Sequence, residues 1–154
     1  MIDSPQIVRS EEQLAAVIHV VVPRHEIQQV MGPGLQELMA GVAAQGVAVT
    51  GPWFTHHLRM PGETFDFEIG VPVASAVAPT GRIKPGKLPA ATVARTVYHG
   101  PYEGLGPAWG EFSAWIAGQG RSPGSDLWER YVVCPGQSQN PDDWRTELNR
   151  PLAD

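Results

Sequence analysis

The sequence predicts a mixed fold of strands and helices that is built from two copies of one module. In each half a strand pattern comes first, an apolar stripe at helical spacing follows, and two further strand patterns complete the half. The halves span about residues 5–78 and 89–152, and their last strands, FDFEIGVPV and WRTELNRPL, correspond. Such a repeat indicates duplication, with two sheets paired about a pseudo-twofold axis and a natural cleft at their seam.

The first half begins with a strand at residues 5–23, rich in valine and isoleucine. A helix follows, since five apolar residues recur at helical spacing: Ile27, Met31, Leu35, Leu38 and Val42. The Gly32-Pro33-Gly34 segment predicts a kink or a restart of this helix, with Pro33 in a first turn. Gly46 marks the position where the helix should end.

A hairpin completes the first half. Residues 47–60 form a strand pattern with a bend at Gly51-Pro52, residues 61–63 have turn chemistry, and residues 64–73 alternate apolar and acidic side chains. Residues 74–91 are irregular and locally basic, so they predict a linker with a short strand around Arg82-Ile83.

The second half repeats this order. Residues 91–100 predict a strand, and residues 101–120 predict a helix that ends at Gly118 and Gly120. The core stripe of this helix is Leu105, Trp109, Phe112 and Ile116. SDLWERYVVC and WRTELNRPL then form a hairpin around the polar loop PGQSQNPDD.

Length and composition predict a single domain over residues 1–154. The formal charge of −5 argues against direct binding to nucleic acid, which needs clustered lysine and arginine. The one cysteine, Cys134, excludes an internal disulfide and a cysteine-based zinc site. The longest apolar run, LAAVIHVVVP, is too short to span a bilayer, so we expect a cytoplasmic protein without a membrane partner.

Glu129 is the most unusual residue, because it interrupts an apolar, aromatic strand pattern. Side chains alternate along a strand, so Leu127, Glu129 and Tyr131 share one face, while Trp128 lies on the other face and is predicted to be core. An acid among large aromatics is costly unless it is paired. Two interpretations stand: an edge strand with a solvated or salt-bridged glutamate, or a carboxylate that faces a ligand.

Six further segments, spread over nearly the whole chain, carry a resemblance to a known family: AQGVAVTGPWF (44–54), FDFEIGVPV (65–73), LPAATVARTVYHGPYEGL (88–105), WIAGQG (115–120), LWERY (127–131) and WRTELNRPL (144–152). With them the sequence resembles the GyrI-like small-molecule-binding domains, which are related to effector domains of multidrug-sensing regulators and to haem-binding SOUL proteins. The resemblance implies an α+β fold of two strand-helix-strand-strand modules, with antiparallel sheets, two helices and a central ligand cleft. It also implies that Glu129 is the central ligand carboxylate.

The remaining site candidates are aromatic. His57 stands where the family commonly has a cleft tyrosine, and it shares a strand face with Trp53. Tyr131 shares the face of Glu129, whereas Tyr98 and Tyr102 have either cleft or packing roles, and Trp109 lies on the core stripe of its helix. The adjacent histidines of a regular strand point to opposite faces and cannot chelate one metal, so we expect neither metal nor cofactor.

The predicted function is a stand-alone binding domain for lipophilic, cationic or aromatic small molecules, acting in sensing or sequestration. Its ligand is expected to be a small hydrophobic cation, and a separate DNA-binding protein is its expected partner in regulation. The resemblance leaves two alternatives. One is a hydrolase that opens strained, cyclopropane-containing DNA-alkylating compounds, with Glu129 as acid–base residue and His57 or Tyr131 as its helper. The other is a protein-interaction module such as a gyrase inhibitor.

Overall fold

The computed structural model describes residues 1–60 and 62–153, in which an antiparallel sheet of nine strands carries two long helices. The strands are β1 (Gln6–Ser10), β2 (Gln13–Pro23), β3 (Phe54–His57), β4 (Thr64–Pro72), β5 (Ile83–Leu88), β6 (Ala91–His99), β7 (Ser122–Pro123), β8 (Leu127–Val133) and β9 (Arg145–Ala153). The helices are α1 (Ile27–Ala44) and α2 (Leu105–Gly118). Of the turn predicted at residues 61–63, Pro61 lies outside the described residues.

The strand order places the two predicted halves on either side of one seam. The sheet runs β1-β6-β9-β8-β3-β4-β2-β5, and β7 pairs with β9 off this path. The hairpins β3-β4 and β8-β9 therefore meet at a β3–β8 seam, and β2 and β6 occupy mirrored places on either side. The α+β fold class is confirmed. That the halves superpose, with Phe65–Val73 equivalent to Trp144–Leu152, stays a prediction.

Two segments differ from their predicted form. The single strand expected at residues 5–23 is two strands, because the chain breaks at the exposed pair Glu11-Glu12 and β1 crosses to pair with β6 while β2 pairs with β4. The expected linker contains the six-residue strand β5, which pairs with β2. Pro85 is tolerated in β5 because an edge strand leaves part of its backbone without strand partners.

Helix α1 is continuous, so the predicted restart with Pro33 in a first turn is wrong. Pro33 is exposed, and the backbone carbonyl that loses its helical partner belongs to the exposed Gln29, where water can satisfy it. Gly34 instead faces the sheet, since a Cβ there would lie 2.7 Å from Cδ1 of Ile69. The glycine therefore lets the helix approach β4 closely.

Both helices pack on one face of the sheet. Strand register puts Ile69, Thr55, Glu129 and Leu148 in one row across β4, β3, β8 and β9. Ile69 belongs to the core under α1 and Leu148 to the core under α2. The two middle residues of the row thus lie between the helices, at the seam.

The opposite face has a smaller core of its own, which includes Phe54 and Trp128. Only two residues link β1 to β2, and two link β5 to β6, so the outer strands of the two halves are held close together. Trp128 is 1% exposed, as expected of a core residue. No helix among the described residues is both long and apolar enough to cross a membrane.

Candidate ligand-binding site

A cavity of about 630 Å³ lies over the β3–β8 seam, between the two helices. Its volume is in the range of small-molecule sites. The floor is formed by alternate residues of the two seam strands, and α1 and α2 provide the walls. Trp53 and His57 of the first half and Glu129 and Tyr131 of the second half line it together, which places them as the strand alternation predicted.

Glu129 lies at the centre of this floor, directly opposite Thr55 across the seam. Its Oε2 accepts a hydrogen bond from Nε1 of Trp109 at 2.6 Å, and its Oε1 accepts one from the hydroxyl of Tyr131 at 2.7 Å. Burial raises the pKa of the Glu129 carboxyl above its usual value, and these two hydrogen bonds oppose the shift because they favour the charged form.

The hydrogen bonds that link Thr55, Tyr131 and Glu129 have a defined donor-to-acceptor direction. Tyr131 gives its only hydroxyl proton to Glu129, so Thr55, whose Oγ1 lies 2.8 Å from the Tyr131 oxygen, donates to that oxygen. Burial raises the pKa of Tyr131 well above its ordinary value, and the charge of Glu129 raises it further. The phenol therefore remains a donor at physiological pH.

Both hydrogen-bond donors to Glu129 found in residues 1–60 and 62–153 are thus neutral. Among the described residues no lysine, arginine or histidine nitrogen lies within the 4.0 Å of an ion pair with this carboxylate. The carboxylate is half-buried and held in place, but its charge is not neutralised by the protein. A cationic group in the cavity would supply the missing charge.

Aromatic rings surround the carboxylate. Trp53 stacks on Tyr131 with ring centroids 4.1 Å apart, and Tyr102 meets Tyr131 edge-on at 6.0 Å. The Tyr102 hydroxyl is buried with no hydrogen-bond partner among the described residues. Burial raises the pKa of Tyr102 to about 12, with further contributions from Cys134 and Glu129. These rings offer several π faces to a bound cation.

The far end of the cavity is apolar and contains His57. Its ring stacks on Phe67 at 5.2 Å and meets Phe65 edge-on at 5.6 Å. Burial, and next the neighbouring His56, lower the pKa of His57 to about 4. The imidazole is therefore neutral at physiological pH and does not repel a cation.

One predicted candidate lies elsewhere. Tyr98 is buried under α2 and donates to the carbonyl oxygen of Pro101 at 2.7 Å, so the structure corrects its expected place at the cleft. Trp109, a site candidate on the predicted core stripe of its helix, lines the cavity, and its indole bridges from α2 to Glu129. The helical spacing identified the correct face of α2 but could not show that this end of the stripe overhangs the seam.

Sequence reasoning missed several lining residues, among them Thr55, Phe65, Phe67, Met31 and Arg24. Thr55 shares its strand face with His57, and Phe65 and Phe67 form the apolar side of an alternating strand, so their periodicity was a usable signal. Helical spacing put Met31 on the apolar stripe of α1 without showing that it reaches the cavity, and nothing in the pattern placed Arg24. Within residues 1–60 and 62–153, no group of three or more His, Cys, Asp or Glu side chains could hold a metal ion.

Comparison with known families agrees with this geometry. The sequence profile of the GyrI-like small molecule binding domain matches residues 3–153. The chain belongs to the GyrI-like family. This GyrI-like chain is thus a small-molecule-binding domain. A search of curated proteins gave no significant match.

Solved structures show the same fold. The C-terminal domain of EcmrR is 21% identical with a TM-score of 0.85, over 98% of both chains. In a complex of EcmrR with DNA, identity is 23% and the TM-score 0.84, and the match covers 98% of this chain but 57% of that chain. The GyrI-like chain therefore spans little more than half the length of that EcmrR chain.

Two more distant structures are also similar to this GyrI-like domain. A hydrolase from Listeria innocua is 12% identical, with a TM-score of 0.69 over 97% of this chain and 91% of its own. SAV2435, solved with bound tetraphenylphosphonium, is 14% identical, with a TM-score of 0.68 over 98% of this chain and 94% of its own. At these identities the likeness is one of fold.

Proposed function

We propose that this GyrI-like domain binds lipophilic aromatic cations, with Glu129 as the charge that selects them. The observation that carries the proposal is that the neutral groups of Trp109 and Tyr131 hold the carboxylate, with no protein cation beside it among the described residues. A ligand cation would be attracted by this charge in a reduced dielectric. Each aromatic face around it adds about 0.5–2 kcal/mol of cation–π attraction.

The relatives support this choice of ligand class and a role in sensing. SAV2435 has been solved with tetraphenylphosphonium, which is a lipophilic aromatic cation. EcmrR has been solved bound to DNA. We infer that the present domain senses or sequesters its ligand, and that any effect on transcription passes through a separate DNA-binding protein. The formal charge of −5 supports the view that it does not bind DNA itself. A cytoplasmic location stays a prediction.

A hydrolase is the second candidate, since two of the similar structures are of a hydrolase from Listeria innocua. Glu129 has a raised pKa and the hydroxyl of Tyr131 beside it, which is the arrangement expected of a general acid. The two candidates differ in the fate of the compound. A binding domain returns it unchanged, whereas a hydrolase gives a product with the added mass of water and repeated turnover, both visible by mass spectrometry.

The test of the favoured function uses two probes of the same shape and opposite charge, tetraphenylphosphonium and tetraphenylborate. Because Trp53 and Trp109 line the cavity, binding is followed by quenching of tryptophan fluorescence. We expect saturable quenching by the phosphonium and little by the borate. Glu129→Gln should weaken the phosphonium by about 1.5–3 kcal/mol, or roughly tenfold to 150-fold, the scale of a contact to a charged group.

Glu129→Gln is a clean variant because the surrounding hydrogen bonds can reverse. The new amide oxygen accepts from Trp109, the amide nitrogen donates to the Tyr131 oxygen, and Tyr131 donates to Thr55, whose own hydroxyl proton turns to the cavity that Thr55 lines. Glu111→Gln, an exposed change on α2 away from the cavity, is the control for net charge. Equal binding of both probes to the wild type, or no effect of Glu129→Gln, would refute the proposal.

A further inference from the structure

Arg24 marks a second charged end of the cavity. It lies just before α1 and lines the cavity mouth on the side of Phe65 and Met60. Its Nε donates to the carbonyl oxygen of Gly62 at 2.8 Å, and its guanidinium carbon lies 5.2 Å from the centroid of the Phe65 ring. These contacts hold the guanidinium over the aromatic end of the cavity although the side chain is exposed.

Among the described residues, no carboxylate oxygen lies within ion-pair distance of Arg24. The contact to Gly62 uses the Nε–H group of Arg24, and the contact to Phe65 is made with the face of the phenyl ring. A guanidinium has five N–H donors, and its fork matches the geometry of a carboxylate or phosphate. Packing against Phe65 thus accounts for the position of Arg24 but leaves its charge for another partner.

The two charged ends are far apart. Glu129 lies opposite Thr55, Thr55 lies opposite Ile69, and Phe65 is four residues further along β4. With the usual strand dimensions, this gives about 16 Å between the backbone positions of Glu129 and Phe65. Apolar side chains, mainly Phe67 and the neutral His57, fill the interval.

We propose that the ligand of this cavity is bipolar, with an aromatic cation at Glu129 and an anionic group at Arg24. This inference rests on the proposed function and narrows it to a ligand class. An elongated molecule of this kind pairs with the charges of both Glu129 and Arg24, and its apolar middle contacts Phe67 and His57. A compact cation binds only the Glu129 end and leaves the Arg24 end to water.

The test uses triphenylphosphonium ions that carry a carboxyalkyl chain, and compares each acid with its methyl ester. In carboxymethyl-triphenylphosphonium the two charges are adjacent, whereas in the carboxydecyl ion the chain can reach the mouth. For the wild type we expect the carboxydecyl acid to bind about three- to fivefold more tightly than its ester, the scale of an exposed ion pair. The carboxymethyl acid should bind more weakly than its ester, since its carboxylate stays beside Glu129. Added salt should reduce the preference for the long acid.

Arg24→Gln should abolish the preference for the long acid, measured as the ratio of the acid affinity to the ester affinity in the same protein. Arg24→Lys, which keeps the charge but not the fork, should retain part of the preference. Arg59→Gln is the matched control, because Arg59 is an exposed arginine that pairs with Asp66 and does not line the cavity.

The outcomes separate this inference from the function on which it rests. If the ester binds to the wild type and the long acid binds no better, the bipolar ligand is refuted and the cation site stands. A preference that survives Arg24→Gln also refutes the role of Arg24. If neither ester nor acid binds, both proposals fall together.

Discussion

Glu129 and Glu147 are acidic side chains of the same sheet, on adjacent strands and opposite faces, and their partners differ in charge. Both oxygens of Glu147 accept from Nη1 of Arg130, at 3.0 and 3.1 Å. Nε of Arg95 lies 3.5 Å from Oε1, and Asn149 donates to the same oxygen at 3.0 Å. Glu129 is held by an indole and a phenol, and in the part of the chain that the structure describes it has no such cation.

The difference shows what distinguishes a structural acid from one available to a ligand. The charge of Glu147 is neutralised within the protein, and its side chain is only 12% exposed. Removing either member of such a pair leaves the other charge buried and unpaired. Glu129 is oriented by its hydrogen bonds but keeps an unpaired charge that faces a cavity. The partners of an acid, more than its burial, therefore indicate its function.

The largest expected effect tests this contrast through stability. Glu147→Gln should lower the free energy of unfolding by about 3 kcal/mol, because the positive charge of Arg130 is then left without its negative partner. Nε of Arg130 already lacks a partner among the described residues, so the guanidinium has little other compensation. Glu129→Gln should leave stability unchanged or raise it, since the folded state no longer contains an unpaired carboxylate.

Urea denaturation of both variants measures the contrast, and the phosphonium affinity of the folded Glu147→Gln protein should equal that of the wild type. Equal destabilisation by the two changes would mean that Glu129 is also a structural partner, and the comparison would fail.

The pH dependence of cation binding gives an intermediate effect. Because the pKa of Glu129 is raised, this carboxyl takes up its proton at a higher pH than an exposed glutamate does. Protonation removes the charge, so the affinity for a permanently charged phosphonium should fall on acidification, by up to about tenfold per pH unit below that pKa. The Glu129→Gln protein should show no fall until about pH 4, where His57, with its pKa of about 4, becomes cationic.

Titrations of both proteins between neutral pH and pH 4 decide the matter. Parallel pH profiles would show that another group controls the binding. A flat wild-type profile would show that Glu129 does not contribute its charge.

Much of the fold followed from the sequence, because the two periodicities that specify it are local. Alternation along LWERY placed Glu129 and Tyr131 on one face, and the repeated element order predicted two modules that meet at a seam. The crossover of β1 to the second half was not predictable in this way. Valine and isoleucine favour a strand but do not identify its neighbour, and the break rests on only two glutamates.

The site was harder to predict than the fold, because its contacts join residues that are distant in the chain. Trp109 reaches Glu129 from α2, and Arg24 reaches Phe65 from the segment before α1. Helical spacing shows which face a residue occupies but not where the helix ends relative to the sheet. Tyr98 shows the opposite case: it lies within the family segment 88–105, yet it is buried in the core and donates to the carbonyl oxygen of Pro101.

The smallest expected effect concerns the direction of the hydrogen bonds behind Glu129. Thr55→Val keeps the shape of the side chain and removes the hydroxyl that donates to Tyr131. In the wild type this should cost about 1 kcal/mol of unfolding free energy, since Tyr131 still donates to Glu129.

In the Glu129→Gln protein the reversed order makes Thr55 the acceptor for Tyr131. The change Thr55→Val then leaves the buried hydroxyl proton of Tyr131 without a partner. The double variant should therefore be less stable than the sum of the single changes by about 1 kcal/mol, measured in a double-mutant cycle. Additive changes would mean that the hydroxyls do not reverse, and that Glu129→Gln disturbs the site by more than the loss of one charge.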